Sequence, residues 1–109
     1  MQLIKAIVRP NKVDEVKEAL GKVPVTGMTV TEVRGHGQQK GHTAVYRGKE
    51  YDVSLLPKIS IETVVTDDLV EAAVQAIIKA ARTGEIGDGR VYVTPITQSY
   101  KIRTAERER

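Results

Sequence analysis

The spacing of apolar residues divides this chain into short strands and two helices. Gln2–Val8 reads as a strand, with Leu3, Ile4, Ile7 and Val8 giving it apolar, β-branched mass. Pro10 stops it. Asn11 is placed to cap a helix, because its side chain accepts bonds from the first free helical N–H groups. Val13, Val16 and Leu20 then recur on one helical face, with Asp14, Glu15, Lys17 and Glu18 elsewhere. Gly21 or Lys22 ends this helix, glycine being the residue that tolerates a left-handed cap. Val25–Arg34 reads as a second strand, with Met28, Val30 and Glu32 on one face and Thr29, Thr31 and Val33 on the other.

A third strand, Lys58–Val65, sets Ile59, Ile61 and Thr63 against Ser60, Glu62 and Val64. Thr66 is placed to cap a second helix, and Asp67 and Asp68 sit in its first turn, where the helix dipole favours negative charge. Val70, Ala73, Val74, Ile77, Ala80 and Ala81 carry its apolar stripe, Lys79 and Arg82 fall in its last turn, and Gly84 is placed to end it. Arg90–Pro95 gives a fourth strand and Gln98–Ile102 a short fifth. A charged, flexible tail, about residues 104–109, closes a single domain of residues 1–109. The order βαβ–connection–βαβ predicts an α+β, ferredoxin-like sandwich: four mostly antiparallel strands with both helices on one face. In Val25–Arg34 and Lys58–Val65 both faces carry β-branched or apolar residues, so the face without helices is expected to meet another subunit.

Composition narrows the function classes. The 109 residues lack Phe and Trp, so Val, Ile, Leu and Ala must fill the core. No cysteine is present, which excludes disulfides and thiolate metal sites. No apolar run approaches the roughly 20 residues of a membrane span. MQLIKAIVRP does not read as a signal peptide, and a cytoplasmic location is expected. The net charge of +3 is mild, short of the basic stripe of a nucleic-acid binder.

The connection between the second and third strands, about residues 37–55, exceeds the roughly 12–15 residues beyond which an irregular connection usually carries a function. One local pattern in it is a hairpin with arms Thr43–Arg47 and Tyr51–Leu55 around Gly48-Lys49. Its start, Gly37-Gln38-Gln39-Lys40-Gly41, offers amides and a lysine, and Lys58 lies at its far foot; such lysines suit a small dicarboxylate, or simply a polar loop. A second chemical feature is Thr83-Gly84-Glu85-Ile86-Gly87-Asp88-Gly89-Arg90. Its glycines can bring backbone N–H groups close to phosphate oxygens, and Arg90 adds a cationic fork. It lacks the Lys-Ser or Lys-Thr of a Walker loop, and a helix end followed by an Asp-Gly turn would look the same. The third feature is Lys101-Ile102-Arg103: in a strand both cations point to one side, able to grip a polyphosphate or merely to face solvent.

Taken together these stretches resemble the PII signal-transduction family of nitrogen regulators. The resemblance runs in order through Thr26–Val33, Gln39-Lys40-Gly41-His42, Tyr46-Arg47-Gly48, Glu50-Tyr51, Leu56-Pro57-Lys58, Thr83-Gly84, Ile86–Gly89 and Ile102-Arg103-Thr104. It implies a homotrimer that senses nitrogen, carbon and energy status without turnover, beyond at most weak ATPase activity. ATP or ADP would bind between subunits, with Thr29, Glu62 and Val64 at the adenosine. Gly87, Asp88, Gly89 and Arg90 would cradle the phosphates, joined by Gly37, Gln38, Lys101 and Arg103. The effector 2-oxoglutarate would be held by Gly37, Gln39, Lys40, Gly41, Lys58 and Gly87, with Mg²⁺ bridging it to ATP and taking Gln39 as a ligand. Tyr51 matches a tyrosine that some members nucleotidylylate, and Arg47 the loop-tip arginine some insert into an ammonium transporter. Partners would thus be an ammonium transporter or another nitrogen-metabolism protein, with no nucleic acid and with the membrane reached only through a transporter.

The chain departs from the family pattern at His36, Gln38, Arg90, Lys101 and Lys49. Gln38 lacks a cation that would reach terminal phosphates, Lys101 lacks a bidentate fork, and Lys49 replaces a small residue beside the modified segment. His36 and His42 lack the acidic or thiolate company of a metal site. Two other classes share the fold. An acylphosphatase would need an anion loop beside a catalytic arginine; Arg9-Pro10-Asn11 is the candidate, with no glycine cradle next to it in sequence. An RNA-binding module would stack bases on sheet aromatics, where only Tyr92 and Tyr100 stand.

Overall fold

The computed structural model describes residues 1–25, 27–35, 43–46, 49–52 and 55–108, with backbone alone in 43–46 and 49–52. Its strands, in chain order, are β1 (Gln2–Val8), β2 (Thr29–Gly35), β3 (Thr43–Tyr46), β4 (Lys49–Asp52), β5 (Leu56–Val65), β6 (Gly89–Pro95), β7 (Ser99–Tyr100) and β8 (Arg107–Glu108). The helices are α1 (Val13–Gly21) and α2 (Val70–Ala81). Strand β1 lies where predicted, whereas β2 starts four residues later than its expected Val25.

Both helices start differently from their predicted caps. Pro10–Lys12 make one 3-10 turn that feeds α1, so Asn11 lies inside a turn and no side chain caps the start. The fixed φ and missing N–H of proline suit it to a first helical turn, and the chain therefore turns before Asn11. Asp67–Leu69 do the same ahead of α2, where Thr66 supplies its backbone carbonyl to Leu69 N–H at 3.0 Å. The end of α1 is right-handed at Lys22 (φ −90°), so no left-handed cap is used. The extended backbone of Arg82 ends α2, before Gly84 is reached.

The main sheet has the order β2-β5-β1-β6, and all three neighbouring pairs are antiparallel. With two helices against it, this is the predicted α+β, ferredoxin-like arrangement. The helix-covered face holds the core: Ile4, Ala6 and Val8 of β1, Ile61 and Val65 of β5, Val16 and Leu20 of α1, and Ala73, Ile77 and Ala81 of α2. Thr63 is buried among them, and its hydroxyl donates to the Gly27 carbonyl. The register turns the intervening residues, Leu3, Lys5 and Ile7 with Lys58, Ser60, Glu62 and Val64, to the open face.

Two small antiparallel pairs stand apart from this sheet. In β3–β4, Lys49 pairs with Tyr46 instead of sitting in the turn, so the second arm begins two residues earlier than expected. The other pair is β7–β8. The expected strand Gln98–Ile102 shrinks to Ser99–Tyr100, because the chain turns back at once to pair with β8. The Lys101 carbonyl accepts the Ala105 N–H at 2.8 Å, and Ala105 adopts φ +60°. Lys101 and Arg103 thus belong to a turn, and strand alternation does not set their directions.

Candidate functional site

The connection from α2 to β6 is built by its glycines. Gly84, Gly87 and Gly89 take φ of +91°, +101° and +111°, a region open to glycine and costly for most residues. At Gly89 the reason is also steric: a Cβ would lie 1.7 Å from the Ile7 carbonyl oxygen. Strand β1 thus runs against the loop where the loop becomes β6.

Asp88 ties the loop together from inside. Its carboxylate accepts the N–H groups of Thr83 and Gly84, each at 2.8 Å, the Thr83 hydroxyl, and Arg9 Nε at 3.2 Å. Partial burial alone would raise its pKa. The hydrogen bonds from Thr83, Gly84 and Arg9 outweigh that and hold the carboxyl well below the usual carboxylate range. Asp88 is therefore ionised and directed at its own loop. Among the described residues, no acceptor is bonded to the N–H groups of Gly87 and Asp88.

Three cations surround the loop. Arg9 follows directly after β1 and also donates from Nη2 to the Ile86 carbonyl at 2.9 Å. Lys58 of β5 is 8% exposed and donates to the Gly87 carbonyl at 2.6 Å. Burial, then the charge of Arg9, push its pKa below the usual lysine value, with Asp88 opposing them. Arg90 pairs with Ile7 and is exposed on the open face. The family resemblance implies one ligand for Gly87, Asp88, Gly89 and Arg90 and another for Lys58 with Gly87; the fold sets Lys58 in contact with Gly87.

A second cluster lies farther along the open face. Thr29 pairs with Glu62, and Val64 with Leu3, around a shallow depression also lined by Gly27, Met28 and Thr63. Lys5 reaches Glu62 at 3.8 Å. Lys101 and Arg103 follow Pro95, at the opposite end of β6 from Arg90. Arg90 and Pro95 are five residue steps apart along β6, about 17 Å. Among the described residues, neither Lys101 nor Arg103 makes a side-chain hydrogen bond or ion pair with the Gly87–Arg90 segment.

Gly37, Gln38, Gln39, Lys40, Gly41, Arg47, His36 and His42 lie outside the described residues. Tyr51 is described in backbone only, paired with Ala44 in β4. No cluster of three His, Cys, Asp or Glu suited to a metal stands among the described residues, and no described helix is long and apolar enough to cross a membrane. Sequence reasoning considered Arg9 only as an acylphosphatase candidate without a glycine cradle. In space a glycine loop does lie beside it, but the guanidinium is bonded to Asp88 and Ile86. The available signal was a cation at the end of β1 facing a loop with a single carboxylate partner; only the β1–β6 register joins them.

The family model described as nitrogen regulatory protein P-II matches residues 1–106. Curated relatives carry the same name. The protein from Cereibacter sphaeroides is 56% identical over 106 residues, covering 97% of this chain and 95% of the relative. That from Klebsiella oxytoca is 55% identical over 108 residues, covering 99% and 96%. Nitrogen regulatory protein P-II 1 of Escherichia coli strain K12 is 54% identical over 108 residues, with the same coverages.

Proposed function

The chain belongs to the nitrogen regulatory protein P-II family, and from that premise we propose that it is a ligand-gated regulator acting by binding rather than by turnover. It takes ATP or ADP and 2-oxoglutarate in clefts between copies of itself. It presents the result to a nitrogen-metabolism protein, an ammonium transporter or an assimilation enzyme, through the connection between β2 and β5.

The observation that carries this is the 2.6 Å bond from Lys58 to the Gly87 carbonyl. Lys58 is the proposed grip for the dicarboxylate, and Gly87 belongs to the proposed phosphate cradle. Two ligands served by groups in direct contact affect one another's affinity, as a sensor of two metabolites requires. A carboxylate is a better acceptor for a half-desolvated ammonium than a neutral carbonyl, so the dicarboxylate would draw Lys58 away from Gly87. Mg²⁺ would enter with the nucleotide phosphates, as hard cations of its kind commonly do, and Gln39 would complete its ligands.

The separation of the two clusters supports a site shared between copies. Thr29, Glu62 and Val64 would form one half, to which Lys101 and Arg103 would add cations, and Lys58 with Gly87–Arg90 the other. A trimer that docks one copy's half against the next copy's other half closes three equal sites, consistent with the preference of oligomers for closed symmetry. The connection between β2 and β5 springs from Gly35, which pairs with Leu56 and lies against the Lys58 side chain, where an added Cβ would meet Lys58 Cγ at 3.4 Å, and it is well placed to respond. Fixing its backbone costs about 1–2 kcal/mol per residue, so ligands that stabilise one arrangement shift its population.

Calorimetry decides the matter. With ATP and Mg²⁺ present, titrated 2-oxoglutarate should release or absorb heat in the wild-type chain and none in Lys58→Ala. A silent wild type, or an unaltered Lys58→Ala, overturns the dicarboxylate assignment.

A further inference from the structure

Arg9 belongs to neither ligand group above, yet it makes two long-range bonds to the phosphate loop. Its guanidinium spans two loop acceptors 79 and 77 positions away in sequence, the Asp88 carboxylate at 3.2 Å and the Ile86 carbonyl at 2.9 Å. We propose that Arg9 is the positioning residue of the loop, a two-pronged latch that fixes the Gly87–Gly89 backbone in its anion-binding shape. The proposal rests on the nucleotide assignment made above.

The chemistry of the two prongs carries it. Three glycines at positive φ give this loop many alternative backbone shapes, and freezing them costs conformational free energy that nucleotide binding would otherwise supply. The Thr83 and Gly84 bonds to Asp88 join residues only four or five apart, so they shape the loop without attaching it to the sheet. Arg9, from the end of β1, makes one such attachment, at Ile86 and Asp88, while Lys58 of β5 holds only the Gly87 carbonyl between them. Its position after Val8, which pairs with Gly89, sets the latch next to the point where β1 already presses on the loop. The Arg9 and Asp88 side chains are 27% and 23% exposed, so the pair is partly shielded from water and held more firmly than a surface ion pair. Bonding the Ile86 carbonyl also turns that peptide's oxygen toward Arg9, which keeps one negative dipole end away from an incoming phosphate. Lysine has a single point charge in place of a planar fork, so it can hold one prong well and not both.

The latch is distinct from a salt bridge that merely stabilises the fold, and two measurements on the full chain separate them. The first is ATP affinity by calorimetry at a temperature where circular dichroism shows each variant folded. Arg9→Met should weaken ATP about tenfold, Arg9→Lys by an intermediate factor, and Arg9→Met combined with Asp88→Asn no more than the weaker single variant, because both remove one latch. The second is amide hydrogen exchange of the segment 83–89 without ligand, which should quicken about tenfold in Arg9→Met and less in Arg9→Lys. Unchanged exchange in Arg9→Met overturns the latch whatever ATP does. Faster exchange with ATP affinity within twofold of wild type leaves Arg9 a local brace and overturns its role in positioning. A wild type that binds no ATP overturns the nucleotide assignment itself and with it the claim on phosphate; the exchange experiment still decides whether Arg9 holds the loop.

Discussion

The two faces of the main sheet are made by the same strands and have different chemistry. On β5, Ile61, Thr63 and Val65 point at the helices and are at most 3% exposed. Their neighbours Lys58, Ser60, Glu62 and Val64 point the other way. The covered face closes with the materials in one chain; its polar member, Thr63, finds an acceptor in Gly27. The open face does not close in this way. Among the described residues the buried Ser60 hydroxyl has no hydrogen-bond partner, Lys58 is bonded to a loop carbonyl, and Tyr92 is half exposed. A step of one residue along β5 thus passes from side chains packed under the helices to side chains that this packing does not cover. The lesson is that the period-two pattern of a strand assigns two jobs, and only one of them is completed by folding.

The sharpest way to break this comparison is to truncate the covered face. Ile61 is 1% exposed, pairs with Ala6 of β1 and belongs to the core cluster that includes Val16, Leu20, Ala73 and Ile77 of the helices. Ile61→Ala should lose about 2–5 kcal/mol, the range for large-to-small changes in a packed core. Chemical denaturation of wild type and variant at equal protein concentration measures it. A loss under about 1 kcal/mol would mean that the helix layer collapses onto the gap, and that the covered face is not the rigid half of the molecule.

The covered face is also where the sequence was most legible. Apolar periodicity placed β1 and α2, and the order of elements was enough for the sheet topology. It was less informative wherever one backbone bond competes with a side chain. The Asn11 and Thr66 caps failed because a 3-10 turn satisfied the helix starts with backbone alone. The strand through Lys101 failed because Ala105 takes a left-handed conformation that no propensity favours. The glycine loop was visible as composition, but its organiser was not: Asp88 reads as one more turn residue until Arg9, 79 positions away, is set beside it.

Gly89 joins the two faces, and replacing it should have the next largest effect. A methyl group there meets the Ile7 carbonyl, and φ +111° disfavours any side chain. Gly89→Ala should cost about 1–3 kcal/mol, typical of residues forced into sparse backbone regions. The loss should come with faster amide exchange in β1 at Ile7 and Val8, because the strand must move to admit the methyl. An alanine variant as stable as wild type would show that the β1–loop junction is looser than the register implies.

The smallest effect is expected on the open face, at the Lys5–Glu62 pair. The side chains are 46% and 40% exposed and 3.8 Å apart, so water and salt screen most of their attraction. Lys5→Gln should change the stability of a single folded copy by no more than about 0.5 kcal/mol, the scale of exposed pairs. The informative variable is protein concentration. If copies dock on the open face, folding is linked to association and unfolding depends on concentration. The variant should then match wild type in dilute solution and fall behind it at higher concentration. Thermal unfolding of both proteins over a hundredfold range of concentration reads this directly. Identical shifts throughout would remove Lys5 from any contact between copies, whereas a loss rivalling Ile61→Ala in dilute solution would erase the distinction between the faces.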